Sequence, residues 1–149
     1  MRTDGLLRLQ TGLMQYQPLL EWSQARYQKN PSHALFLERP ANTNGYPFIG
    51  YVVVREHYLQ RKRVQEIALI HGVANSEIRE THDEQDNIIL TPTGALELSE
   101  LGEHLLAFLG SVALGGNYRV ESPRATFLDL ETRHPLYRAE LDFRLHLSE

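Results

Sequence analysis

Cysteine is absent from the 149 residues. That excludes disulfides, thiolate metal sites and cysteine nucleophiles, and it suits a cytosolic or assembly setting. Long apolar runs are also missing. No stretch approaches the roughly 20 residues that span a bilayer. The opening MRTDGLLRLQTG has an arginine but no apolar core behind it, so it is not a secretory signal. Charge of either sign is modest, with a net value of −4. Broad electrostatic binding to a nucleic-acid backbone needs clustered Lys and Arg, and here the only basic run is Arg61-Lys62-Arg63. There is no internal repeat and no low-complexity segment. The apolar and charged shares, 42% and 23%, are those of an ordinary globular protein. The length is that of one domain.

Leu6, Leu9, Leu13 and Tyr16 are spaced for one helical face, within a helix-rich segment from Asp4 to Lys29. Pro18 either kinks that helix or begins a second one. Asn30-Pro31 closes the segment. Ala34–Glu38 then reads as a short strand and 40–47 as a loop with an Asn44-Gly45 turn. Phe48–Val54 and Val64–Val73 read as an antiparallel hairpin, joined by a long charged tip over 55–63. Residues 75–87 carry Glu77, Glu80, Asp83, Glu84 and Asp86, and read as an exposed, mobile loop.

The second helix is clearer. Thr91-Pro92 offers a capping hydroxyl and a proline for the first turn. Leu98, Leu101, Leu105, Phe108, Leu109 and Val112 form a stripe, with Glu97, Glu100, Glu103, His104 and Ser111 on the other arc. Gly102, near the stripe, offers close helix–sheet approach, and Gly115-Gly116 ends the element. Arg124–Leu130 reads as a strand and 131–135 as a turn. The cleanest pattern is the closing one: Tyr137, Ala139, Leu141, Phe143, Leu145 and Leu147 alternate with Arg138, Glu140, Asp142, Arg144 and His146. A strand alternates faces with period two, so one face is core and the other polar. The fold class is therefore α+β: a mostly antiparallel mixed sheet of four to five strands packed on two main helices.

Chemistry is sparse. No serine sits in a Gly-x-Ser-x-Gly turn. The segment 110–116 lacks the lysine of a phosphate-binding loop and reads as a helix end. His71, His82, His104, His134 and His146 are spread over different elements, with no helical i, i+4 pair for zinc. His71, between apolar neighbours, is a ligand, a proton-transfer group or, more commonly for such a position, a hydrogen-bonded core histidine. Asp83-Glu84-Gln85-Asp86-Asn87 invites a calcium reading but lacks the glycine and terminal glutamate of such loops, so it reads as a solvated loop. No catalytic, cofactor or metal residue is assigned. The stripe Arg138, Glu140, Asp142, Arg144 and His146 is a solvent face with weak ion pairs or a subunit contact. Arg61 and Arg63 on the basic tip, and Asp83 and Glu84 on the acidic loop, are the other interface candidates, since the two segments are opposite in sign.

The order of these elements resembles the tail terminator proteins of long-tailed bacteriophages. An N-terminal helix leads to Ala34-Leu35-Phe36-Leu37, then a proline-containing loop to Tyr46-Pro47-Phe48-Ile49-Gly50-Tyr51-Val52-Val53. A charged hairpin tip precedes Gln65-Glu66-Ile67-Ala68-Leu69-Ile70. After the second helix come Phe127-Leu128-Asp129-Leu130-Glu131 and Leu136-Tyr137-Arg138-Ala139-Glu140-Leu141-Asp142-Phe143. The resemblance is one of pattern over most of the chain. It implies a virion protein without cofactor or enzymatic activity. Such a protein forms a homo-oligomeric ring, commonly a hexamer, that caps the tail tube, stops its polymerisation and docks the head connector. DNA then passes the lumen without specific binding, which a mildly acidic protein suits. Another neck, connector or baseplate component, and a small ligand-binding or enzymatic α+β domain, are the competing readings.

Overall fold

The computed structural model describes residues 2–121 and 126–148, and gives the backbone alone at 59 and 126–132. Helix α1 spans Asp4–Met14 and buries Leu6, Leu9 and Leu13 completely. Pro18, which has no N–H to continue the ladder, begins a second helix rather than kinking the first. Helix α2 spans Gln17–Tyr27 with the proline in its first turn, and Gln28 closes it in the left-handed conformation. The first strand lies two residues earlier than the apolar run suggests: β1 is Ser32–Leu35, and Phe36 leaves it at φ 60°.

The long charged tip is not a loop. Strand β2 (Phe48–Leu59) runs on to residue 59 and β3 (Lys62–Ala74) starts at 62, so only Gln60 and Arg61 turn the chain. The charges themselves extend the ladder: Arg55 pairs with Glu66 across it, and the Arg63 guanidinium lies 3.5 Å from Glu56. Both turn residues have positive φ, 48° and 62°, as in the mirror-image turn that matches strand twist. Glycine and asparagine usually occupy that turn, so glutamine and arginine there carry backbone strain.

Residues 75–87 are almost all exposed, as expected, but they are not a loop throughout. Strands β4 (Ile78–His82) and β5 (Ile88–Pro92) form a separate two-stranded antiparallel sheet. Asp83 closes its turn by accepting hydrogen bonds from the backbone N–H groups of Gln85 and Asn87 and from the Asn87 side chain. These bonds, those of Asn87 foremost, hold the Asp83 carboxyl below its ordinary range. Helix α3, Thr93–Ser111, follows β5 directly. Thr91 and Pro92 therefore belong to the strand pair and provide no hydroxyl cap; Thr93 instead donates to the Glu77 carboxylate at 3.0 Å.

Strand β8 (Leu136–Ser148) pairs antiparallel with β3 over its whole length, from Lys62 opposite Ser148 to Ala74 opposite Leu136. Along its other edge lie β6 (Tyr118–Val120) and β7 (Thr126–Arg133), end to end. The expected strand over 124–130 is present over its described residues, 126–130; its first two residues lie outside the described ones. It also continues through 131–133, so the β7–β8 hairpin turns on His134-Pro135 alone. β1 pairs parallel to β2, which makes the sheet mixed. The α+β class holds: among the described residues six strands occupy five positions across the main sheet, and helices cover one face. No helix among the described residues is long and apolar enough to cross a membrane.

The alternation in β8 resolves as expected. Tyr137, Leu141, Phe143, Leu145 and Leu147 are buried, together with Ile49, Tyr51, Ile67 and Leu69 from β2 and β3 and with the apolar sides of the helices. Among the described residues the second face is covered at one end, by the loop after β1. There a Cβ on Gly50 would lie 2.1 Å from the Leu37 carbonyl oxygen, so the loop can cross only over a glycine.

Gly50→Ala should therefore destabilise the protein by on the order of 1–3 kcal/mol, because the obstructing atom is backbone. Gly110→Ala, where a Cβ meets nothing within 4 Å, should instead stabilise by up to about 1 kcal/mol through helix propensity. Urea midpoints of the two variants check both signs.

Candidate functional site

Because β8 alternates, its non-core side chains lie on the half-covered second face of the sheet. They do not form one uniform solvent stripe. Arg138 is buried beneath the loop after β1, and its guanidinium donates to the Glu38 carbonyl oxygen at 2.8 Å. Beyond the loop the face opens into a groove of about 350 Å³, lined by Val54, Glu66, Glu121, Glu140, Asp142 and Arg144 among others. Glu140 and Asp142 point the same way from alternate positions. Partial burial, then the hydrogen bond that protonated Glu140 donates to Asp142 and the charge of Asp142, and then the charge of Glu38, push the Glu140 carboxyl up to about 7. Arg144, Arg55 and His57 all lie within 3.6–3.7 Å of the Glu66 carboxylate, and His146 lies 3.3 Å from Glu121. Each of these is an exposed or half-exposed pair of small individual worth.

The four interface candidates on the hairpins are not brought together. Arg61 sits exposed in the β2–β3 turn, whereas Arg63 is tied down, stacked over the Tyr58 ring and close to Glu56. Asp83 and Glu84 form the exposed turn of the β4–β5 ribbon. The ribbon leaves the C-terminal end of β3 and the basic turn closes its N-terminal end. A strand of 13 residues, at about 3.3 Å each, separates the two by roughly 40 Å.

Two features escaped the sequence reading. The first is the apolar content of the ribbon. Ile78, Ile88, Ile89 and Leu90 are 45–62% exposed, with Ile78, Ile88 and Leu90 on one face. The Ile-Ile-Leu run after a polar turn was the available signal for a strand. The second is Glu97, placed on the polar arc of α3 but only 3% exposed. Helix α2 covers that arc. The Glu97 carboxylate accepts from the Tyr27 hydroxyl at 3.0 Å and from the Asn75 amide, and so ties α2 and the root of the ribbon to α3. Burial first, then the Glu97 charge, pushes the Tyr27 phenol above its ordinary range. The ribbon is thus anchored at its root and bare along its blade.

His71 is a core residue: it is fully buried, its Nδ1 is 3.1 Å from the Leu69 carbonyl oxygen, and burial lowers it to about 4. His33, its Nδ1 2.8 Å from the Tyr51 hydroxyl, is lowered to about 4 by the same cause. Among the described residues, no three His, Cys, Asp or Glu side chains converge as a metal set. Comparison of the sequence with protein-family models and with curated proteins finds no match.

These shifts set the pH dependence of stability. Glu140 binds its proton more tightly in the folded state, so its contribution is complete below about 4.5 and is lost as the pH rises through about 7. Glu140→Gln should raise the thermal midpoint at pH 8 and change it little at pH 4. His71 and His33 work in the other direction. Their contribution is complete above about 6.5 and is lost as the pH falls towards 4. His71→Leu should flatten the acid side of the profile. Urea midpoints taken across the pH range check both slopes.

Proposed function

We propose that this chain is a structural protein of a phage particle. It assembles as a ring at the head-proximal end of the tail tube, ends tube polymerisation and joins the tail to the head connector. The observation that carries the reading is the β4–β5 ribbon. A lone two-stranded hairpin is marginal in water, and monomers seldom leave aliphatic side chains on an open strand pair. Here the hairpin is anchored at its root through Asn75, Glu77 and Glu97, while Ile78, Ile88 and Leu90 stand exposed on one face. Such an element gains its buried area by lying on another chain. The α+β core, with its full-length closing strand, is consistent with the pattern resemblance to tail terminators. The acidic groove suits a lumen wall that lets DNA pass without holding it.

Light scattering on the purified protein, alone and after mixing with polymerising tail-tube protein, tests the reading. A mass near six chains of 17.2 kDa, or a ring seen only at tube ends with shortened tubes, is the expected result. A monomer in both settings, with tube length unchanged, overturns it. Ile88→Asp combined with Leu90→Asp should abolish the oligomer while leaving the thermal midpoint of the chain nearly unchanged, because both side chains are already in water.

A further inference from the structure

The two hairpins differ in charge as sharply as they differ in place. The ribbon carries Glu77, Glu80, Asp83, Glu84 and Asp86 against the single Arg79. At the other end of β3, Arg55, Arg61, Lys62 and Arg144 stand exposed around the hairpin turn; among the described residues Glu66 lies between Arg55 and Arg144, and the less exposed Glu56 lies beside Arg63. Both groups are rigidly presented, the ribbon turn by the Asp83 hydrogen bonds and the basic turn by a two-residue reversal. The roughly 40 Å of strand between them prevents their meeting within one chain. The basic end also has an apolar neighbour: Val54, the extra residue where the β2–β3 register shifts, is 64% exposed at the lip of the groove and lies beside Arg55 and Arg144.

We propose that the acidic ribbon of one copy docks on the basic end of the β2–β3 hairpin of a second copy. In this contact Asp83 and Glu84 face Arg61 and Lys62, and Ile88 and Leu90 lie towards Val54. The occupant is a copy of this chain because the surface complementary to the ribbon, in charge and in exposed aliphatics, stands on the chain itself. The contact is heterologous, since it joins one end of β3 to the opposite end in the neighbour. Repetition of such a contact closes a ring when its rotation divides a full turn, and otherwise builds a filament. The strained Gln60-Arg61 turn fits this role, because a glycine there would relax the backbone and remove the charge from the tip. The inference rests on the ring reading and names its contact.

The absence of cysteine makes the contact directly testable. Arg61→Cys and Glu84→Cys chains are prepared separately, mixed, and joined by a short bismaleimide. The mixed product should exceed either self-product by about tenfold at low salt, and the excess should shrink as salt screens the pairing. Equal yields of mixed and self products, or none, overturn the contact. A charge-reversed pair gives the second measurement. Arg61→Glu with Lys62→Glu in one chain, and Glu84→Lys with Asp86→Lys in another, should each lose the association alone and regain it on mixing; failure to regain it overturns the contact. The two levels separate by mass. A ring-sized oligomer without the mixed product refutes this contact and leaves the ring. A mixed product formed in a solution whose light-scattering mass stays at two chains refutes the ring and leaves the contact.

Discussion

The ladder between β3 and β8 is the constraint on which the rest of the molecule depends. It runs unbroken for the length of both strands, and it fixes three things at once. Its register places Ile67, Leu69 and Val73 beside Phe143, Leu141 and Tyr137 on the face the helices cover. The same register places Glu66, Ala68 and Ile70 beside Arg144, Asp142 and Glu140 on the face that stays half open. A slip of one residue would exchange the two faces, burying carboxylates under α1 and α3. The free edge of β3 then receives β2, and the free edge of β8 receives β6 and β7. Both charged hairpin segments, the β2–β3 turn and the β4–β5 ribbon, are hung from the ends of β3.

The polar interior is organised around a single carboxylate. Glu97 joins α2, α3 and the segment that leads into the ribbon, through a phenol and an amide. A buried acid of this kind is tolerable only when donors surround it, and two do. Trp22 and Arg26 reach the neighbouring Glu100 in the same helix, so the second helix is held by polar bonds to α3 as well as by Leu19 and Trp22 in the core. The half-open face is organised differently. There partial burial and the charge of Asp142 disfavour the ionised form of Glu140. One face of the molecule surrounds its buried acid with donors, and the other sets two acids side by side.

Much of the architecture was legible because periodicity reports burial. The alternation over 137–147 and the leucine spacing of α1 and α3 correspond to core positions without exception at Leu6, Leu9, Leu13, Leu101, Leu105 and Leu141. Charge density, by contrast, does not mark loops in this chain. Residues 55–59, 62–63 and 78–82 belong to charged strands, because cross-strand partners and solvent satisfy such side chains without disturbing the backbone ladder. Glu97 was misplaced for a related reason: helical phase shows which arc faces the sheet, but not that a second helix covers the adjacent arc. The candidate surfaces were legible only as segments of opposite sign. That they stand at opposite ends of one strand, and that the acidic one carries bare isoleucines, follows from hairpin geometry that neither composition nor spacing reveals.

The long β3–β8 ladder also orders events in time. β3 ends at Ala74 and its partner begins at Leu136, so a ribosome must synthesise the ribbon, α3, β6 and β7 before the central pair can close. Throughout that interval the inner edge of β3 presents unpaired backbone groups with Ile67, Leu69 and Ile70 beside them, a segment rich in β-branched residues and poor in charge. Non-local pairing of this kind is slow, and an open apolar edge is a template for the wrong partner. Synthesis in a crowded cell would therefore favour chaperone capture of the nascent chain before β8 emerges.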